Sequence, residues 1–203
     1  MYVAVAVGAQ LVALGAVGVT RAQGHDRRVD GVPVPNLRLV SDGVWAGGQP
    51  HAEGYRALAE MGVAVVVDLR TGANDDPRED DPLLLQALGM RYVNLPVKDG
   101  HAPGRDVVDT VRALVGRPEG DVFVHCGAGV GRTSALQASL SAALGLPVAV
   151  RELLAVGPMS LEQLWVAMFA SDDRPVPTHP AVRRLSEALD APRRALSRVR
   201  ALF

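Results

Sequence analysis

One cysteine, one lysine and few aromatic side chains (4%) set limits on this 203-residue chain at once. With Cys126 alone, neither an intramolecular disulfide framework nor a multi-cysteine metal site can form. That thiol is either an inert core residue or the centre of the chemistry. Lys98 stands as the only lysine beside 20 arginines, and Ala, Val and Gly are abundant, a pattern of genomic base composition rather than of function. An excess of either charge is also missing. The formal net charge of −1 removes any whole-molecule electrostatic case for nucleic acid or an anionic membrane as partner. Hydrophobic residues make up 48% and charged residues 21%, which excludes a disordered or collagen-like chain. The length suits about one domain with a buried core.

Charge is absent from Met1–Thr20, a run of mostly Val, Ala, Leu and Gly, before Arg21 opens a polar stretch through His25, Asp26, Arg27, Arg28 and Asp30. A spanning helix needs about 20 apolar residues, and this run has that length. Three readings stand: a membrane anchor, a secretory signal cleaved near Ala22, or a buried element of the domain. The signal reading lacks a positive n-region. If the segment is an anchor, the arginines after it keep the domain on the cytoplasmic side. We therefore expect residues 1–22 to be an anchor or signal segment, with membrane association through residues 1–20 and export after cleavage as the alternative.

Residues 23–36 read as a linker, with Pro33 and Pro35 opposing a helix. A folded domain is expected over 37–172. Val44–Ala46, Val63–Asp68, Met90–Leu95 and Val122–His125 read as strands, and β-branched continuity in the second points to burial on both faces. Helical patterns fall near 51–61, 82–88, 105–115, 131–144, 148–155 and 160–170, with an acidic loop at 74–81. Such alternation predicts an α/β domain with a mainly parallel central sheet flanked by helices. An Arg-rich helical extension follows over 173–203, in which Leu185, Leu189, Leu196, Val199 and Leu202 can share a face. A membrane-surface role for that helix is an alternative to simple docking.

The segment His125-Cys126-Gly127-Ala128-Gly129-Val130-Gly131-Arg132-Thr133-Ser134 leaves a buried strand and enters a helix. Its three glycines let the backbone curl until successive N–H groups face inward, forming an anion cradle at a helix N-terminus. A thiol at the base of such a cradle ionises readily; comparable settings lower a cysteine pKa to roughly 3.5–7.5. The planar fork of Arg132 suits two oxygens of a phosphoryl group. Thr133 or Ser134 can donate a hydroxyl to the sulfur.

This segment resembles the Cys-x5-Arg loop of the protein tyrosine phosphatase superfamily. In an Arg-rich chain that spacing alone is weak; His125, the glycines, Thr133 and the strand–loop–helix context make it specific. Further likeness lies in Trp45-Ala46-Gly47-Gly48-Gln49-Pro50, similar to the Y-R-x-G-Q-P opening of compact dual-specificity-like phosphatases, in Val66–Arg70 and in Tyr92–Val97. The resemblance implies the dual-specificity type of the fold over roughly 37–170. It also implies Cys126 as nucleophile, Arg132 as phosphate clamp, His125 as the loop-fixing histidine, and Gly127, Ala128, Gly129, Val130 and Gly131 as phosphate-binding backbone. Asp99, 27 residues before Cys126, resembles the general acid of one branch. Asp106 and Asp109 are alternatives that read as first-turn helix charges. Gln163 matches a glutamine that positions the hydrolytic water, or is a surface helix residue. Arg70, at a strand end, reads as a structural ion-pair partner.

The implied activity is hydrolysis of phosphotyrosine-type monoesters through a phosphocysteine, with inositol phosphates or phospholipids as the alternative substrates. Lys98, His101 and Arg105 lend some basic character near the rim, but no residue between Cys126 and Arg132 is charged. No cofactor or metal is expected, and the catalytic domain is expected to be monomeric. A nucleotide-binding P-loop fails on alignment, because Cys126 takes its first glycine and Arg132 its lysine. A sulfurtransferase or an inactive phosphate-binding module are remoter readings.

Overall fold

Val63–Asp68, a nearly continuous β-branched run, and Asp121–Cys126 form neighbouring inner strands of a five-stranded sheet in the computed structural model. The model describes residues 2–23, 28–72, 82–117, 119–170 and 179–200, the side chains of 2, 3, 6 and 193–200 excepted. The strands are β1 (Arg38–Ser41), β2 (Val44–Gly48), β3 (Val63–Asp68), β4 (Arg91–Asn94) and β5 (Asp121–Cys126), in the order β1-β2-β5-β3-β4. β2, β5, β3 and β4 run parallel, and β1 closes the edge as an antiparallel partner of β2. The expected α/β class with a mainly parallel sheet is therefore the observed one. The helices are α1 (Tyr2–Ala22), α2 (Ala52–Glu60), α3 (Pro82–Ala87), α4 (Arg105–Arg112), α5 (Gly131–Ala143), α6 (Val150–Val156), α7 (Leu161–Phe169) and α8 (Pro180–Arg200).

Successive strand residues point to opposite faces, so one sheet makes two cores. Val65, Val67, Val122 and Val124 pack with Val107 and Val111 of α4 and Leu136 and Leu140 of α5. Val63, Val66 and Phe123 pack with Tyr55 and Leu58 of α2 and Leu85 of α3.

Three segments differ from expectation. Residues 28–36 are not a free linker: Val34 is buried, Val29 N donates to Leu37 O, and Arg28 bridges Arg38. Pro33 and Pro35 do exclude a helix, yet their carbonyl groups remain available, and Pro35 O accepts from Gly48 N. The second difference is α1. It lies along α6 and α8, with Val17 and Thr20 buried and Arg21 donating to Ala155 O at 2.5 Å and Val156 O at 2.7 Å. Its opposite face leaves Val5, Val7, Leu11, Val12, Leu14 and Val19 exposed. Among the described residues no helix is long and apolar enough to cross a membrane.

The third is α8, whose docked face holds polar residues and leaves Leu185 of the leucine stripe outside. Ser186 and Asp190 are buried while Leu185 is 53% exposed. Polar anchors set this rotation, since Ser186 Oγ accepts from Glu162 N at 3.1 Å and Asp190 faces Gln10 of α1. The side chains of Leu196, Val199 and Leu202, the acidic loop at 74–81 and residues 173–178 lie outside the described residues.

Candidate active site

β5 delivers Cys126 to the carboxyl end of the sheet, and the chain turns there through residues 127–130 into α5. The loop is drawn tight against β2. Gly129 has φ +73°, and a Cβ on it would stand 2.3 Å from Gly47 C and Gly48 N. A Cβ on Gly48 would stand 2.8 Å from Gly127 O. Glycine on both sides is what this close approach requires.

Three successive loop carbonyls are held from outside. Gln49 N donates to Gly127 O (2.8 Å), Asn36 Nδ2 to Ala128 O (2.8 Å) and Arg38 Nη1 to Gly129 O (2.9 Å). In a trans peptide the N–H lies opposite the carbonyl of the preceding residue. Carbonyls turned outward therefore turn the amides of Ala128, Gly129 and Val130 inward, where the helix N-terminus adds its own. The cradle expected from the glycines is thus imposed by side chains elsewhere.

Arg38 does most of this bracing. It is 3% exposed and also donates through Nε to Gln137 Oε1 (2.8 Å) and through Nη2 to Ser134 Oγ (3.1 Å). Burial pushes its guanidinium down to about 10, and the facing Cys126 works in the other direction, so Arg38 remains a cation at neutral pH. Sequence reasoning missed Arg38 and Asn36. Neither belongs to a motif, and their one signal is position, Arg38 opening the edge strand β1 and Asn36 lying just before it.

Thr133 Oγ1 donates to Cys126 Sγ at 3.1 Å, which decides between the two candidate hydroxyls; Ser134 Oγ is occupied by Arg38. Arg132 is buried, and its Nη1 donates to Val97 O (3.2 Å) and Leu69 O (3.4 Å), tying the guanidinium to the ends of two neighbouring segments. On the other face of β5, His125 is fully buried and stacks on Phe123 with centroids 5.5 Å apart. Its Nδ1 stands 3.8 Å from Asp68 Oδ1. Asp68 accepts from Arg70 N and Nε and from Tyr92 Oη. Burial pushes the Asp68 carboxyl up, yet the Arg70 hydrogen bonds and the facing His125 prevail and hold it below the ordinary range. Arg70 is thus a buried ion-pair partner of Asp68 at 3.0 Å.

Over Cys126 opens a pocket of about 90 Å³ lined by Asp99, Ala128, Val130, Gly131, Arg132 and Gln163, among others. Asp99 reaches it; Asp106 and Asp109 do not, and Asp109 pairs with Arg105 on the exposed side of α4. Family membership can be decided on this arrangement together with one comparison. Residues 38–164 match the PTP-NADK family, described as DSP-PTPase phosphatase fused to NAD+ kinase. The chain belongs to that phosphatase family.

Among curated relatives, Dual specificity protein phosphatase 26 of Bos taurus is 28% identical over 102 residues, covering 48% of this chain and 46% of the relative. The chain thus spans about half the length of the curated relatives it matches. Two solved structures share the fold of this chain. The core catalytic domain of PP-IP phosphatase SIW14 from S. cerevisiae, in complex with citrate, superposes with a TM-score of 0.56 at 14% identity, covering 77% of this chain and 93% of that one. TpbA of P. aeruginosa in complex with pTyr gives 0.53 at 19% identity, covering 79% and 98%.

The loop carrying Asp99 hangs on the start of α7. Ser160 Oγ donates to Gly100 O (2.7 Å) and accepts from Gln163 N (3.1 Å). Gln163 is 2% exposed, so it is no surface residue. Its Oε1 accepts from Ser160 N (3.0 Å), completing a capping box, and its Nε2 donates to His101 O (3.0 Å). Gln163 is thereby the joint between the cradle, the α7 cap and the Asp99 loop. The three basic side chains expected near the rim all stand beside carboxylates. Lys98 stands 3.8 Å from Glu187, His101 lies 3.1 Å from buried Glu162 and 3.3 Å from Glu187, and Arg105 lies 3.4 Å from Asp109.

Proposed function

We propose that this protein is a cysteine-dependent phosphomonoesterase working through a phosphocysteine on Cys126. One observation carries the reading: a sulfur that accepts from Thr133 at 3.1 Å sits under a loop whose carbonyls are tied away from it. Inward amides and the Arg132 fork hold the three non-bridging oxygens. Cys126 Sγ then attacks phosphorus in line, the P–O bond to the leaving group breaks, and Asp99 donates its proton to the departing oxygen. Asp99, now a carboxylate, takes a proton from water as the water oxygen attacks phosphorus. The S–P bond breaks, with the Thr133 hydroxyl stabilising the released sulfur. The positive potential for the phosphoryl group comes from backbone and Arg132, so the expected reaction needs no metal.

The favoured substrates are monoesters with one phosphate on an uncharged group, the phosphotyrosine type among them. Pairing of Lys98, His101 and Arg105 with carboxylates leaves the rim with little positive charge to offer a second phosphate. Turnover of p-nitrophenyl phosphate with a chelator present tests the mechanism. Wild type should remain active and Cys126→Ser should be inactive; a competent serine variant, or loss with chelator, overturns it.

We also propose that the outer face of α1, with Val5, Leu11, Leu14 and Val19 exposed, attaches the domain to a lipid surface. The full chain should sediment with phospholipid vesicles, and Leu11→Glu with Leu14→Glu should release it. Failure of the wild type to sediment refutes the attachment.

A further inference from the structure

Beside the phosphate pocket lies a second hollow for which the phosphoryl chemistry has no use. It is a groove of about 250 Å³ between α1 and α6–α8, walled by Ala13, Ala16, Leu154, Leu161, Leu164 and Leu189. Pro158, Met159 and Ser160 line both hollows, so the groove continues from the phosphate pocket. An apolar cavity of about 150 Å³ already holds benzene, so this volume has room for a hydrocarbon chain.

Charge at the junction narrows the occupant further. Gln10 of α1 and Asp190 of α8 meet there at 3.4 Å, and both line the two hollows. They present a carboxyl group and an amide where the substrate would leave the phosphate pocket. A second phosphate at that point would face like charge, whereas an ester linkage followed by methylenes would not. One wall of the groove is α1, whose outer face is itself apolar. Two of the groove's walls, α1 and α8, lie outside residues 38–164 that match the family, while Leu154, Leu161 and Leu164 lie within them.

We propose that the groove is a subsite for the hydrocarbon part of the substrate, and that the protein hydrolyses a lipid phosphate: one phosphomonoester on an alkyl or acyl chain. This rests on the phosphatase reading of the Cys126 site and adds its substrate class. Burial of methylenes drives selection, each adding about threefold to fourfold in kcat/KM until the groove is filled.

The experiment is a series of n-alkyl phosphates from ethyl to octyl, below their micelle concentrations, with p-nitrophenyl phosphate as the reference. In wild type kcat/KM should climb with chain length. Ala13→Phe and Ala16→Phe, which fill the groove and touch no residue of the phosphoryl machinery, should flatten the climb while p-nitrophenyl phosphate turnover stays within about twofold. Non-hydrolysable n-alkyl phosphonates, measured as ligands by calorimetry, should show the same chain dependence and the same loss in both variants. A flat alkyl series beside normal p-nitrophenyl phosphate turnover overturns the subsite, as does a climb that survives both fillings. A flat series with a faster phosphotyrosyl peptide assigns the groove to a peptide and also overturns it. If wild type fails on p-nitrophenyl phosphate, the phosphatase reading fails, and the phosphonate series still decides the groove.

Discussion

Replacing Arg38 by methionine should damage the site more than the fold. The guanidinium donates to four acceptors, Asn36 O, Gly129 O, Gln137 Oε1 and Ser134 Oγ. Losing it strands buried acceptors at about 1–3 kcal/mol each. Methionine also removes a burial penalty, because a guanidinium held at about 10, well below its ordinary range, costs about 3 kcal/mol to keep charged in the folded state. The stranded acceptors outweigh this relief, leaving a net loss of at least about 1 kcal/mol, or roughly 2–4 °C or more in Tm. Catalysis has no such compensation. Gly129 O would be free to turn, and with it the Val130 amide; removing one donor of this kind costs about 100-fold or more in kcat. Thermal melting and p-nitrophenyl phosphate kinetics on the same preparation separate the two effects. Arg38→Lys keeps the charge facing Cys126 but not the fork, and should recover only part of the rate. A folded Arg38→Met enzyme within about threefold of wild-type kcat would refute the bracing argument.

Asp99→Asn should slow phenyl phosphate far more than p-nitrophenyl phosphate, by about 100- to 10,000-fold against a much smaller loss, since only the poor leaving group needs its proton; the same pattern in Asp106→Asn would move the acid there. Asp68 has a depressed carboxyl in the folded state. Its stabilisation is therefore present above the unfolded carboxylate range and lost as pH falls through the folded value. Asp68→Asn should cost about 3–5 kcal/mol at pH 7 in urea titration, and the gap should close below about pH 4. Peroxide should inactivate the enzyme with poor thiol recovery after long exposure, because Cys126 has no second cysteine to trap its sulfenic acid; full recovery without a sulfenamide would contradict this.

Much of the protein was legible along the chain because its strongest signals are local. The β-branched run at 63–68 and the apolar strand before Cys126 need burial on both faces, which only the middle of a parallel sheet provides. The loop from His125 to Ser134 carries its chemistry within ten consecutive residues, and both Cys126 and Thr133 stand where the motif puts them. Asp99, favoured along the chain over Asp106 and Asp109, lines the pocket over Cys126; Asp106 lies in the first turn of α4, where a carboxylate has its own use, and Asp109 a turn later.

Other features depended on residues far apart in sequence. Arg38 and Asn36 reach carbonyls 91 and 92 positions later, and no periodicity records such a bond. Residues 28–36 looked like a linker because proline excludes helix, but their carbonyl and amide groups hold the cradle from behind. Hydropathy treated α1 as one apolar cylinder, and of the leucines that suggested a shared face on α8, Leu185 is left exposed while Leu189 turns to the groove beside α1. Which side each helix turns inward was decided by a few polar contacts: Arg21 to the end of α6, Ser186 to the start of α7, and Gln10 to Asp190. Local propensity sets what a segment becomes. Where it docks depends on burying polar groups only beside partners, and those partners are brought together by the folded chain alone.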